Sequence, residues 1–213
     1  MAKQPELDIL FFRSGPSDWD EAGRLQGRTD LPLSASAQAA LPDTVSDLIG
    51  TGEGRVMPKW VLASPDEASV RLAEAFGARS GAKVRIVEGI AGLQCGLWEG
   101  RLRSELDERS PKAYRQWLAD PVSASPPEGE PLPEAQHRVM GALARAFDKV
   151  AQGPVIVVLR PNPMGLVRST LEGLPLSALW ETLDSTPRAW RTRVVRAAVK
   201  ELTSALGTAE ARS

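Results

Sequence analysis

Apolar positions in this chain fall into short dense runs separated by longer periodic stretches. Residues 7–12 (LDILFF) predict a first buried strand. Residues 59–63 (KWVLA) predict a second, ending at Ser64-Pro65, and residues 83–87 (KVRIV) a third. Residues 154–159 (PVIVVL) are apolar throughout, the pattern of a strand covered on both faces. Helices are expected over residues 35–49, 67–76 with Gly77 near the C-terminal end, 105–118 and 164–171. Pro111 must interrupt the third of these or start a new helix. The clearest helix is 133–150, where Val139, Leu143, Phe147 and Val150 share one face. Residues 122–133 are proline-rich and read as a surface loop. Residues 193–206 fit either a helix or a strand followed by a helix.

Strands alternating with helices predict an α/β fold, a three-layer α/β/α sandwich around a mostly parallel sheet. Residues 7–12, 59–63 and 155–159 are its expected adjacent central strands. No internal repeat or linker is visible, so residues 1–213 are read as one domain, with 183–213 as a C-terminal extension.

The 26 basic and 27 acidic residues nearly balance, which argues against nucleic-acid or membrane-surface partners. The N-terminal stretch lacks a signal-peptide core and no run approaches a transmembrane span, so a cytoplasmic location is expected. With Cys95 as the one cysteine, no internal disulfide can form. His137 is the one histidine, which leaves little for metal or Ser-His chemistry; neither metal nor cofactor is expected. Wheel geometry puts His137 on the flank of its helix, facing solvent. Trp190, in a locally basic segment, reads as packed onto the domain or, less simply, as an interface anchor for a protein partner or a homodimer.

The first strand ends in Arg13-Ser14-Gly15-Pro16-Ser17-Asp18-Trp19-Asp20, followed by Gly23-Arg24-Leu25-Gln26-Gly27-Arg28-Thr29-Asp30-Leu31-Pro32-Leu33-Ser34. Further on come Ala63-Ser64-Pro65, Gly96-Leu97-Trp98-Glu99-Gly100, Gly129-Glu130-Pro131 with Arg138, and Leu171-Glu172-Gly173-Leu174-Pro175-Leu176. In order and spacing, over about residues 7–182, these resemble the histidine phosphatase, or phosphoglycerate mutase-like, superfamily. That family has Arg-His-Gly at the first strand end and Gly-x-Trp-Glu-Gly later. The resemblance implies a phosphohistidine phosphatase or mutase, with a pocket that here maps onto Arg13, Ser14, Ser17, Asp20, Gln26, Gly27 and Arg160.

The same resemblance shows departures. The nucleophilic histidine falls on Ser14, the second pocket arginine on Ala68, the general acid on Gly92 and the second histidine on Arg160. Arg71, one turn beyond Ala68, and Glu88, four residues before Gly92, are candidate replacements. A serine nucleophile needs a base, and an acid is needed for the leaving oxygen. The expectation is therefore a degenerate, catalytically inactive member, a pseudoenzyme with a residual anion or phosphate pocket or a structural role. The alternative is an active phosphatase or mutase on small phosphate esters with a shifted catalytic set. Two guanidiniums, Arg13 and Arg160, need something negative between them: phosphate or a small phosphorylated ligand, or an internal acid among Asp20, Asp66 and Glu88. Pro161 and Pro163 are expected to stiffen the loop after Arg160 and to remove amide donors.

Overall fold

The computed structural model describes residues 6–49, 57–150 and 153–210. Its elements in chain order are β1 (Glu6–Arg13), α1 (Asp18–Glu21), α2 (Ala35–Ala39), α3 (Leu41–Ile49), β2 (Trp60–Ala63), α4 (Glu67–Ser80) and β3 (Lys83–Ile86). They continue with α5 (Arg103–Arg109), α6 (Pro111–Ala119), α7 (Leu132–Asp148), β4 (Val155–Leu159), α8 (Pro161–Glu172), α9 (Leu179–Ser185), β5 (Ala189–Val195) and α10 (Arg196–Glu210).

The strands form one sheet in the order β3-β2-β4-β1-β5. The first four run parallel and β5 closes the edge antiparallel to β1. The three strands expected at the centre are adjacent, with β4 in the middle. All five β4 residues are buried, because helices cover both faces. One face carries Leu7, Ile9, Phe11, Val157 and Leu159 against Val139, Leu143 and Phe147 of α7 and Leu166 of α8. The other carries Leu10, Phe12, Val61 and Val158 against Val45 and Ile49 of α3 and Leu72 and Phe76 of α4. The alternation along β1 assigns each residue to its layer.

Several expectations change. The helix over 35–49 is two helices, broken at Ala40, with Pro42 in the first turn of the second, where its missing N–H has no partner to lose. Gly77 lies inside α4 rather than at its end. A β-carbon there would sit 2.6 Å from Cγ2 of Val84, so the glycine lets α4 approach β3. Gly81, with φ +74°, is the left-handed terminator. Residues 161–163 are the first turn of α8, not a loop: Pro161 and Pro163 occupy positions whose N–H groups a helix leaves unpaired. The C-terminal stretch is a strand plus a helix, and α10 packs on α7. Trp190, by contrast, packs onto the domain as the simpler reading has it, its ring stacked on Phe11 with centroids 5.1 Å apart. Among the described residues no helix is long and apolar enough to cross a membrane.

Candidate functional site

The site lies at the carboxyl ends of β1, β4 and β2, where open α/β sheets bind ligands. Arg13 is the last residue of β1 and pairs laterally with Leu159. Arg160 follows Leu159 directly, so Arg13, Ser14 and Arg160 converge as their positions imply. The Ser14 amide donates to the Leu159 carbonyl at 2.8 Å. Its hydroxyl is buried and has no hydrogen-bond partner.

Arg160 is only 4% exposed and its charge is met from inside the protein. Its Nη2 donates to both carboxylate oxygens of Asp20, at 2.9 and 2.7 Å, and to Oε1 of Gln26 at 2.9 Å. Its Nη1 donates to the Gly15 carbonyl at 3.4 Å. Asp20 is held in place by the start of α1. Ser17 caps that helix, and its backbone N–H donates to Oδ2 of Asp20 at 2.8 Å, a reciprocal capping box. The Ser17 hydroxyl also donates to Oε1 of Gln26, whose amide donates to the Thr29 carbonyl at 3.0 Å. Ser17, Asp20, Gln26 and Arg160 therefore form one closed network.

The other two acids considered for this role do not reach it. Asp66 caps α4 through its Oδ1, which accepts from the Ser69 amide at 2.9 Å. Glu88 is exposed and begins a turn beyond β3. Arg71 does not replace the missing arginine either. Its side chain is 52% exposed and pairs with Glu74 at 3.8 Å, while Ala68 is fully buried in the first turn of α4. Arg13 is half-buried, and among the described residues its guanidinium has no ion-pair or hydrogen-bond partner.

Gly27 and Gly92 bring two chain segments into backbone contact. A β-carbon at Gly92 would lie 2.1 Å from the Gly27 carbonyl oxygen, and one at Gly27 would lie 2.0 Å from the Leu93 carbonyl oxygen. A side chain at either position requires the backbone to move. Beside this contact are two small clefts. One, of about 60 Å³, is lined by Asp20, Arg24, Gln26, Arg103, Arg160 and Asn162. The other, of about 170 Å³, is lined by Gly27, Arg28, Asp30, Ser64, Asp66 and Gly92. Both fall below the roughly 300 Å³ at which ordinary small-molecule sites begin.

Two residues set this contact without having been singled out for it. Arg138 is clamped by Glu130 at 2.6 and 2.7 Å and donates to the carbonyls of Gly89, Ala91 and Gly92 at 2.9, 3.1 and 3.1 Å. From the other side, Oε1 of Glu99 accepts from the amides of Gly27 and Thr29 at 2.8 and 3.0 Å. Both belong to the motif fragments quoted above, so the signal was their presence, not any chemistry.

His137 is half-buried rather than freely solvent-facing. α10 covers that flank of α7, and a β-carbon on Gly207 would lie 3.2 Å from the imidazole ring. That places the histidine between α7 and α10. Cys95 is buried, and burial, with Glu99 next in effect, pushes its thiol up to about 12, so it is no nucleophile at neutral pH. Among the described residues no group of three or more His, Cys, Asp or Glu side chains is placed to hold a metal.

The sequence profile of the histidine phosphatase superfamily (branch 1) matches residues 9–194. Phosphoserine phosphatase 1 of Hydrogenobacter thermophilus is 27% identical over 178 residues, 82% of this chain and 80% of that protein. A probable phosphoglycerate mutase of Escherichia coli, GpmB, is 25% identical over 169 residues, covering 79% and 76%. Among solved structures, a putative α-ribazole-5′-P phosphatase of E. coli superposes with a TM-score of 0.71 at 23% identity, covering 82% of this chain and 84% of that one. A mycobacterial glucosyl-3-phosphoglycerate phosphatase solved with VO3 gives 0.71 at 22% identity, covering 81% and 85%.

Proposed function

Since the chain belongs to the histidine phosphatase superfamily, we propose that it is a non-catalytic member whose phosphate pocket is closed by its own side chains. The observation that carries this reading is the Arg160–Asp20 pair. The position matched to the second histidine bears a buried guanidinium, and the carboxylate of Asp20 neutralises it, so the pair offers a phosphoryl group no net positive charge. Three further features support it. The buried Ser14 hydroxyl has no hydrogen-bond partner, so no base is in contact with it. The position matched to the general acid is Gly92, pressed against Gly27. The position matched to the second arginine is a buried alanine, Ala68. A phosphohistidine route would then lack its nucleophile, its acid and half of its anion clamp.

The relatives named above are phosphatases or mutases, so turnover is the direct test. The expected result is no hydrolysis of p-nitrophenyl phosphate above the level of a heat-denatured sample, with or without divalent cations. Hydrolysis that copurifies with the chain and vanishes in Ser14→Ala or Arg13→Ala would overturn the proposal in favour of an active enzyme with a shifted catalytic set.

A further inference from the structure

The far edge of the sheet, away from the pocket, carries charge that the fold does not use. β3 is the outermost strand and nearly all of it is exposed. Lys83 and Val87 donate their amides inward to the carbonyls of Lys59 and Ala63, at 3.1 and 2.9 Å. In a parallel ladder this alternation turns the N–H and C=O groups of Val84 and Ile86 outward, where no described residue pairs with them. The two side-chain faces of the edge differ. Val84 and Ile86, 38% and 48% exposed, lie on the α4 side. Arg85 lies on the α7 side and lines a groove of about 230 Å³ with Glu88, Gly89, Ala142, Arg145 and Lys149.

Gly89 and Ala142 shape the groove, since a β-carbon on Gly89 would lie 2.4 Å from that of Ala142. Among the described residues the side chains of Arg85, Arg145 and Lys149 have no ion-pair or hydrogen-bond partner, and Glu88 is the one acid facing them. An excess of unpaired cations here stands out in a chain whose net charge is −1.

We propose that β3 and this groove dock an extended segment of a partner protein in which acidic and apolar residues alternate. Such a segment would add a strand at the edge, using the outward groups of Val84 and Ile86. Period-two alternation would direct its acidic side chains to Arg85, Arg145 and Lys149, and its apolar ones to Val84 and Ile86. A second copy of this chain fits poorly, because pairing β3 with itself brings the same cations together. Isolated edge lysines and arginines also serve to repel unwanted strands, which makes selectivity for the alternating pattern the discriminating property.

Fluorescence anisotropy tests this with the labelled peptide Ser-Glu-Val-Glu-Val-Glu-Val-Glu-Ser against an isomer whose glutamates and valines are grouped in blocks. The alternating peptide is expected to bind at least about tenfold tighter than the block isomer, because only it satisfies both faces at once. The double variant Arg85→Glu/Arg145→Glu should lose binding by about tenfold or more with an unchanged melting temperature. Equal binding of the two isomers would reduce the edge to a diffuse charge patch and overturn the proposal without recourse to any variant. Binding of a short DNA duplex but of neither peptide, or a wild-type dimer that Arg85→Glu dissociates, would overturn it as well.

Discussion

Removing Asp20 leaves Arg160 as a nearly buried guanidinium without a counter-charge. Breaking a fully buried pair from one side costs about 3–5 kcal/mol. Two features lower that figure here. The Asp20 side chain is 28% exposed, so water reaches the site, and Arg160 keeps its bonds to Gln26 and the Gly15 carbonyl. Asp20→Ala is therefore expected to cost about 2–3 kcal/mol, which for a chain of this size lowers the melting temperature by about 5–10 °C. Part of that loss is the α1 cap, since Asp20 also accepts from the Ser17 amide. A double-mutant cycle separates the two. Arg160→Met removes the charge while filling its volume, and in that background Asp20→Ala should cost only the cap, leaving a coupling of about 2 kcal/mol. Urea unfolding followed by tryptophan fluorescence gives all four corners.

The same cycle reads out the closed pocket. With Asp20 gone, an oxyanion can take its place against Arg160 and against Arg13, which no described residue pairs with, through charge-assisted hydrogen bonds. Phosphate at ten to a hundred times its Kd should then stabilise Asp20→Ala by about 1.4–2.7 kcal/mol. It should do nothing for the wild type beyond a chloride control of matched ionic strength, and nothing for the double variant. A coupling below about 0.5 kcal/mol, the range of exposed pairs, would refute the buried network. A wild type that responds to phosphate as strongly as Asp20→Ala would refute the closure.

Two further outcomes follow from the same geometry. Gly92→Ala should destabilise by about 1–3 kcal/mol in urea unfolding, the usual cost of forcing atoms into a packed site, while Gly173→Ala, with no neighbouring atom within 4 Å, registers only its left-handed backbone. Cys95 should resist Ellman's reagent at pH 8 in the native protein and react fully in urea. Its folded thiol is raised to about 12 from an ordinary value of 9.0. The fold thus favours the protonated form, so stability from this group is fully present below about pH 9 and is lost as pH rises towards 12. A Cys95→Ser protein should lose less stability between pH 8 and 10.5 than the wild type.

The sheet was legible because its signals are local. Runs such as 155–159 have no polar residue to expose, and the order of the central strands follows from the parallel crossovers. Helix breaks were harder to read, because Pro42 and Pro161 sit in first turns, where proline is compatible with a helix, and nothing in a periodic pattern marks the preceding stop. That Ser17, Asp20, Gln26 and Arg160 lie near one another was legible by position, but their partnerships were not. Asp20, Asp66 and Glu88 were equivalent as acids in sequence. What separates them is that α1 is short and capped by Ser17, which turns Asp20 toward β4, whereas Asp66 is committed to the amide of Ser69. The environment of His137 depended on α10, more than fifty residues away in sequence, and no helical wheel of α7 contains that information.

The differences at the strand ends depend on one another. β1 and β4 are neighbours, about 4.8 Å apart, and Arg13 lies opposite Leu159, so residues 14 and 160 draw on the same small volume. An imidazole at 14 and a guanidinium at 160 would compete for it; a serine leaves room, and its hydroxyl is left buried without a partner. The longer side chain then reaches Gln26 and Asp20, two residues that an imidazole in its place, two bonds shorter, would approach less closely. Once Arg160 has turned that way it needs the carboxylate, because an unpaired guanidinium at 4% exposure is far costlier than a paired one. Restoring a histidine at position 14 alone would therefore leave Arg160 and Asp20 locked together beside it. On the proposed reading, then, the Arg160–Asp20 pair is what holds the pocket shut, and a nucleophile at position 14 would not by itself reopen it.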